Sequence, residues 1–466
     1  MGGLDGHAVV IGGSMGGLMA ARVLAGRFAR VTVVDRDELP LEARARRGVP
    51  HAEHGHALLL SGKRALEELY PGLSAELVAE GAVAFDPGQD LLLHQMGAFR
   101  ERYRSGQQGI SLTRPLLEAA VRRRTAAMAG ISIRDGVAVD GLTGAAGRVD
   151  GVRLADGTRL PADLVVNASG RGGAGADGWL TELGCAVPDV DAVKIDVGYT
   201  TRLLHRAPGE RLPGGALLHL MAGVPPQDRR AAAVFAVEGD RWMVTLGGWH
   251  QAHAPVDPEG FAAFAAALPS PLVRDVVARA RPVDGEGPAR KFTFPYARRR
   301  RFERLTAPPA GFVALGDALC SFNPLYGQGM SVAALEALAL GRVLERTGDT
   351  STRTVRAYFA AAARIVDAPW RLATGGDFAH PLTRGPKAPG TDLVNGYVRR
   401  ALLASHVSAP VNRTLVDIQQ LLVPPTALLR PTTLARILLS ARHSPALGRS
   451  PGAPPVETAP TEKVRG

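Results

Sequence analysis

Three stretches of this chain set glycine, acidic and basic residues at spacings that can do chemistry. The first, Gly12-Gly13-Ser14-Met15-Gly16-Gly17, follows the apolar run HAVVI and opens the helical segment LMAARVLAG. In the register Gly12-x-Ser14-x-x-Gly17, the first glycine suits a tight turn and the third a close strand–helix approach, with Gly13 and Gly16 completing the loop. Ser14 stands where the backbone nears a pyrophosphate, and its hydroxyl can donate to a phosphate. The helix N-terminus adds free N–H groups and partial positive charge. Asp35 ends the next strand, VTVVD, where a carboxylate holds ribose hydroxyls and disfavours a 2′-phosphate. FAD or NAD is therefore the expected occupant rather than NADP. A second match, Gly173-x-Gly175-x-x-Gly178, leads into only WLTELG before Gly184 and Pro188, so it is expected to be a turn and not a phosphate cradle. The third stretch, GFVALGDALCSFNPLYGQGMSVAALEA, sets a buried strand, then Gly316-Asp317, then a Pro324/Gly327/Gly329 loop that opens a long helix.

That last arrangement resembles the second FAD-binding signature of flavin monooxygenases built on the para-hydroxybenzoate hydroxylase fold. The resemblance implies that Asp317 holds the ribityl chain. It also implies that Pro324, Gly327, Gln328, Gly329 and Met330 aim a helix N-terminus at the pyrimidine side of the flavin. A positive helix end there stabilises the negative charge of reduced flavin. SLTRPLLEAAV puts Arg114 where this family has an arginine on the FAD ribose and pyrophosphate, and the implied cofactor set extends to Arg36, Arg47 and Val137. The resemblance covers about residues 7–350. More narrowly, RRGVPHAEHGHALL, the Asp317 segment and Ala168-Ser169-Gly170 are similar to the flavin-dependent epoxidases of polyether polyketide pathways.

The implied chemistry is FAD-dependent. NADPH or NADH supplies electrons, directly or through a separate flavin reductase. O2 then adds at flavin C4a, and one oxygen atom passes to a hydrophobic small molecule. Alkene epoxidation in polyketide or terpenoid biosynthesis is the first expectation. Hydroxylation of an aromatic polyketide and saturation of prenyl chains by a reductase of the same fold are the alternatives, and a non-catalytic flavin-binding partner is a fourth. Halogenases of this architecture carry a Trp-x-Trp-x-Ile-Pro segment, which is absent. Aromatic hydroxylases have Asp-Gly where this chain has Ser169-Gly170, so direct and indirect reduction both stay open. No Ser/His/Asp or Cys/His constellation is found. His51, His54 and His56 crowd one loop without a matching distant ligand set, which argues against a metal. By resemblance this loop lies near the flavin ring, which makes His56 the candidate for a direct role and Arg47 a candidate contact.

The elements that must position these residues read as α/β. A Rossmann-type FAD-binding domain, 1–80, 105–188 and 292–350, is expected to interleave with an antiparallel-sheet substrate domain, 81–104 and 189–291. Helices follow over 351–445, and 446–466 is expected to be a disordered tail. The apolar residues of the sheet segment, Leu218, Leu220 and Phe235 among them, suit a hydrophobic substrate, although alternation must send half of such residues into the core. The 466 residues carry a net charge of +11, mostly from arginine. No helix-turn-helix, zinc-finger or stacking-aromatic pattern accompanies that charge, so nucleic acid is not expected. Arg298–Arg301 is expected to form a solvated basic face, with attraction of nicotinamide phosphates as its best alternative role. No run of about 18 apolar residues predicts a transmembrane span. No signal peptide is expected ahead of the first strand, and Cys185 and Cys320, which lack framework spacing, lead to the expectation of a reducing cytoplasm without disulfides.

Overall fold

The computed structural model describes residues 4–145, 147–171, 175–283 and 289–447. Five of its strands form a parallel sheet in the order Phe312–Ala314, Leu164–Asn167, Leu4–Ile11, Phe28–Val34, Ile131–Arg134. Ala8, Val9 and Val10 in the central strand are all fully buried. Helices cover both faces of such a sheet, which is why the sequence here is continuously apolar and does not alternate. The helix Met15–Leu24 packs on the helices Arg114–Ala126 and Gly329–Thr347. Gly348 ends the last of these in the left-handed conformation, donating its N–H to Leu344. A three-stranded antiparallel meander, Val139–Ala145, Arg148–Leu154 and Arg159–Pro161, sits beside this unit.

A separate mixed sheet of eight described strands runs Cys320–Ser321, Arg290–Arg300, Val190–His205, Arg241–Gly248, Arg230–Val237, Leu218–Ala222, Leu91–Gln95, Ala98–Phe99. Its neighbours are antiparallel except Leu91–Gln95, which runs parallel to Leu218–Ala222. The pleat sorts its residues by parity. His219, Val234 and Val244 are cross-strand neighbours on one face, toward the helices Pro258–Ala266 and Pro271–Arg279. There the His219 ring bonds Ser270 Oγ at 3.0 Å. Leu218, Leu220, Phe235, Ala233 and Thr245 fall on the opposite face. The chain thus combines a Rossmann-type parallel-sheet unit with an interleaved, largely antiparallel sheet and C-terminal helices at Thr352–Asp377, Thr391–Ala404, Ala409–Gln419 and Pro431–Ser440.

Two expectations are corrected. The boundary drawn at 291/292 falls inside the strand Arg290–Arg300, which pairs with Val190–His205 and so belongs to the large sheet. In the run Arg298–Arg301 only Arg298 is exposed, so the run is not the solvated face expected of it. Arg299 is 3% exposed and donates to Asp367 at 2.6 Å and Glu303 at 3.0 Å. Arg300 pairs with Asp177 and Arg301 with Asp191 and Glu303. Strand alternation turns Arg299 inward, onto an acid of the helix Thr352–Asp377. In the second glycine match, the helix Gly175–Glu182 leads into a strand of the large sheet, not a parallel crossover; Gly173 lies outside the described residues. So does the expected tail from 448 onward.

Candidate functional site

The first glycine turn has no room for side chains. Gly12 has φ +103°, and a Cβ there would meet the Ala168 carbonyl, while one at Gly17 would collide with the carbonyl of Gly12. Gly13 donates its N–H to Asp35 Oδ2 at 2.6 Å, tying the turn to the end of the second strand. Ser14 is the N-cap of the helix Met15–Leu24 but gives it no side-chain cap. Its hydroxyl instead donates to Glu118 at 2.7 Å and accepts from Arg114 at 2.9 Å. The first-turn amides are therefore left for another acceptor.

Glu118 is the centre of a buried charge network. Arg114 and Arg122 reach it from one turn either side on the same helix, and Arg46 reaches it from the loop after Asp35. Burial pushes its carboxyl up, but Arg114, Arg46, the Ser14 hydroxyl and Arg122 hold it at about 2. Arg46 also bonds Asp35 at 3.3 Å and Asp37 at 2.9 Å. The sequence expectation named Arg47, which is exposed. The loop folds back where Asp37 accepts the Gly48 N–H at 2.5 Å, and its neighbour Arg46 turns inward instead. Arg36 is exposed. Val137 is half-buried and donates its N–H to the Asp35 carbonyl at 2.9 Å.

At the second turn, the strand Phe312–Ala314 runs into a short 3-10 turn, Gly316–Ala318. The Gly316 N–H donates to Glu336 at 2.7 Å, a residue buried within the helix Gly329–Thr347. Burial raises the Glu336 carboxyl to about 8 despite that bond, and nearby Asp317 adds to the rise. Asp317 lies beside the start of this helix: a Cβ on Gly329 would sit 3.7 Å from its Oδ1. Burial raises the Asp317 carboxyl, and Arg171 and Arg114 oppose the rise, so Arg114 acts on both turns. Gln328, the N-cap, makes no side-chain cap bond, and its buried Oε1 has no partner among the described residues. Gly327 takes φ +65° and packs so near Ala57 that a Cβ would clash. Pro324 lines the cavity described below, and Met330 is half-buried against the core.

The histidine loop is pinned to the large sheet. His54 Nδ1 bonds Thr201 at 2.8 Å, and Thr201 bonds Thr245 at 2.8 Å. His54 stands edge-on to Tyr199 at 4.9 Å, and His51 lies 5.4 Å from His56 and 5.6 Å from Phe292. Burial, then the positive charge of Arg114, lowers His51 to about 3 and His56 well below its ordinary value. Burial and Arg290 lower His54 to about 4. His56 Nδ1 is 2.9 Å from the His54 carbonyl, which can only accept. Nδ1 therefore carries the proton, and Nε2 is a neutral acceptor. Among the described residues no group of three His, Cys, Asp or Glu could hold a metal.

A cavity of about 1240 Å³ opens between these parts. His56 and Tyr326–Gln328 line one end, Leu218, Leu220, Ala233 and Phe235 its floor, and the C-terminal helices its far wall. The small side chains of Ala231 and Ala233 keep space above the floor. Asp377, buried at the end of the helix Thr352–Asp377, accepts from Trp249 Nε1 at 2.8 Å, Asn323 Nδ2 at 2.7 Å and Tyr326 at 3.4 Å. It joins the C-terminal helices, the sheet and the loop before Gly327. Burial lifts its carboxyl to about 7 against these three hydrogen bonds.

The sequence reading missed Arg46, Glu118, Arg171, Glu336 and Asp377. Glu118 carried a signal, since it sits four residues from both Arg114 and Arg122. Glu336 carried a weaker one, an acid set within the Ala/Leu run AALEALAL. Arg171 and Asp377 join the site only through tertiary packing.

No family model matches the chain. Among solved structures, the fold is shared with the flavin-dependent brominase Bmp2, at TM-score 0.64 and 12% identity over 94% of this chain and 98% of that one. It is also shared with 2-methyl-3-hydroxypyridine-5-carboxylic acid oxygenase, at TM-score 0.58 and 18% identity over 88% and 98%. At these identities the likeness is one of fold. Protein Rv3254 of Mycobacterium tuberculosis is 33% identical over 356 residues, 73% of each chain. The chain belongs to the family of Rv3254.

Proposed function

We propose that this chain is an FAD-dependent monooxygenase acting on a hydrophobic small molecule, most simply by epoxidising an alkene of polyketide or terpenoid origin. The observation that carries the proposal is the convergence of two uncapped helix N-termini, at Ser14 and Gln328, on the shared Arg114, beside a largely apolar cavity. The residues fit the cofactor. Gly12–Gly17 leave amides for a pyrophosphate, with Arg114 supplying positive charge and Asp35 serving the adenosine ribose. Asp317 serves the ribityl chain. The first turn of Gly329–Thr347 and the orphaned Gln328 Oε1 serve the flavin edge. Bound there, FAD supplies two-electron reduction and activation of O2.

The protein's part is binding, orientation and exclusion of water. Leu218, Leu220 and Phe235 seat an apolar substrate against the flavin end. His56, neutral with Nε2 as acceptor, orients a substrate hydroxyl. Ser169 spends its N–H and hydroxyl on Asn167 Oδ1, at 3.2 and 2.6 Å, within its own turn. That favours electrons arriving from NADPH or NADH through a separate reductase. The brominase and oxygenase named above share the fold, and the oxygenase favours oxygen transfer. The test supplies the reduced, FAD-loaded enzyme with isotopically heavy O2 and a panel of apolar alkenes and aromatic compounds. One heavy oxygen atom in an epoxide supports the proposal. A heavy hydroxyl on an aromatic substrate moves it to hydroxylation, and a saturated product without heavy oxygen overturns it in favour of a reductase.

A further inference from the structure

Eight of the thirteen large apolar side chains exposed among the described residues fall within 382–447. Leu393 is 81% exposed, and Leu429 and Leu439 are each 60% exposed. The helices Thr391–Ala404 and Pro431–Ser440 that carry two of them pack on each other. Tyr397 donates to the Leu428 carbonyl, and the His406 ring bonds Ser444, so the two segments run side by side in the same direction. Arg399, Arg400, Arg430, Arg436 and Arg442 are exposed among these leucines, and none makes an ion pair among the described residues. The whole of 382–447 contains eight Lys and Arg against two acids, Asp392 and Asp417. Val394, Asn395, Val398 and Arg399 of the first helix also line the cavity. The most exposed leucine therefore sits on a helix that also walls the cavity.

We propose that this face docks on an anionic lipid bilayer and takes a lipid-soluble substrate from it into the cavity. Exposed leucines interspersed with arginines suit the headgroup boundary, where the leucines enter the acyl region and the arginines meet lipid phosphates. A second copy fits less well. A two-fold contact would set these unpaired arginines against one another, with little acid to offset them. No described helix is long and apolar enough to cross a membrane, so the docking is interfacial. The substrate's part in this rests on the proposed function, whereas the docking does not.

The test is cosedimentation of the FAD-loaded protein with vesicles of mixed phosphatidylglycerol and phosphatidylcholine, and with phosphatidylcholine alone. Binding to the anionic vesicles is expected, weakened by added salt and at least roughly fivefold weaker to the neutral ones. Leu393→Glu with Leu439→Glu, and separately Arg399→Gln with Arg436→Gln, are each expected to lower the bound fraction at least roughly fivefold while leaving FAD content and thermal unfolding unchanged. The second pair leaves the apolar surface intact, so the proposal stays testable where the first perturbs folding. Absence of binding to anionic vesicles, or equal binding by both variants, overturns it. So does a dimer in light scattering that the same substitutions dissociate without any vesicle binding. Vesicle binding by a protein that transfers no oxygen leaves the docking intact and removes only the proposed reaction.

Discussion

The Gly316 amide donates to the Glu336 carboxyl at 2.7 Å, so a group buried inside an Ala/Leu helix sets the turn that presents Asp317. Glu336→Gln keeps an acceptor and is expected to retain FAD. Glu336→Ala leaves the amide unpaired and is expected to cost about 1–3 kcal/mol in thermal unfolding, with weakened FAD retention. A pH dependence also follows. The folded carboxyl is raised from 4.5 to about 8, chiefly by burial, so the folded state holds its proton where the unfolded chain has lost it. Stability from this group is fully present below 4.5 and declines as pH rises toward about 8. Denaturant melts across that range are expected to show the decline, and Glu336→Gln to flatten it.

Arg46 and Arg47 are neighbours with opposite fates. Arg46→Ala removes a cation from both Asp35 and Glu118 and is expected to weaken FAD binding at least roughly tenfold, about 1.4 kcal/mol. Arg47→Ala is expected to change it by less than about twofold, within the range of exposed substitutions. Titration of the apoprotein with FAD separates the two.

Above the sheet, Leu220 and Ala233 are cross-strand partners on the cavity face. Ala233→Trp fills that space. It is expected to raise KM for an apolar substrate by roughly tenfold or more while FAD content is unchanged. Steady-state kinetics with a quantified flavin content checks this.

Asp377 accepts from Trp249, Asn323 and Tyr326 at once. Asp377→Asn keeps the carbonyl acceptor and is expected to destabilise little. Asp377→Ala leaves buried donors unpaired and is expected to cost about 1–3 kcal/mol, read by denaturant unfolding with tryptophan fluorescence.

What was legible in the sequence follows from the range of the forces involved. The glycine turn, Asp35 and the Asp317 segment are local, because backbone strain and helix ends dictate residue types within a few positions. The parallel sheet showed in unbroken apolar runs and the large sheet in period-two alternation. The strand Arg290–Arg300 is cut by the expected boundary at 291/292, since its pairing with Val190–His205 is a non-local choice. The burial of Arg299 and Arg46, and the hub at Asp377, depend on acids brought from distant segments. Charge type alone does not distinguish a buried ion pair from a solvated side chain.

The central claim is that Asp35 and Asp317 hold the two ends of one FAD. Its most direct measurement is the flavin content of the purified chain and of Asp317→Ala, by absorbance after release and by titration of each apoprotein. The expected result is about one FAD per chain in the parent and a loss of affinity of at least roughly tenfold in the variant, with its fold intact by circular dichroism. A parent protein that is colourless and takes up no FAD would contradict the account at its root.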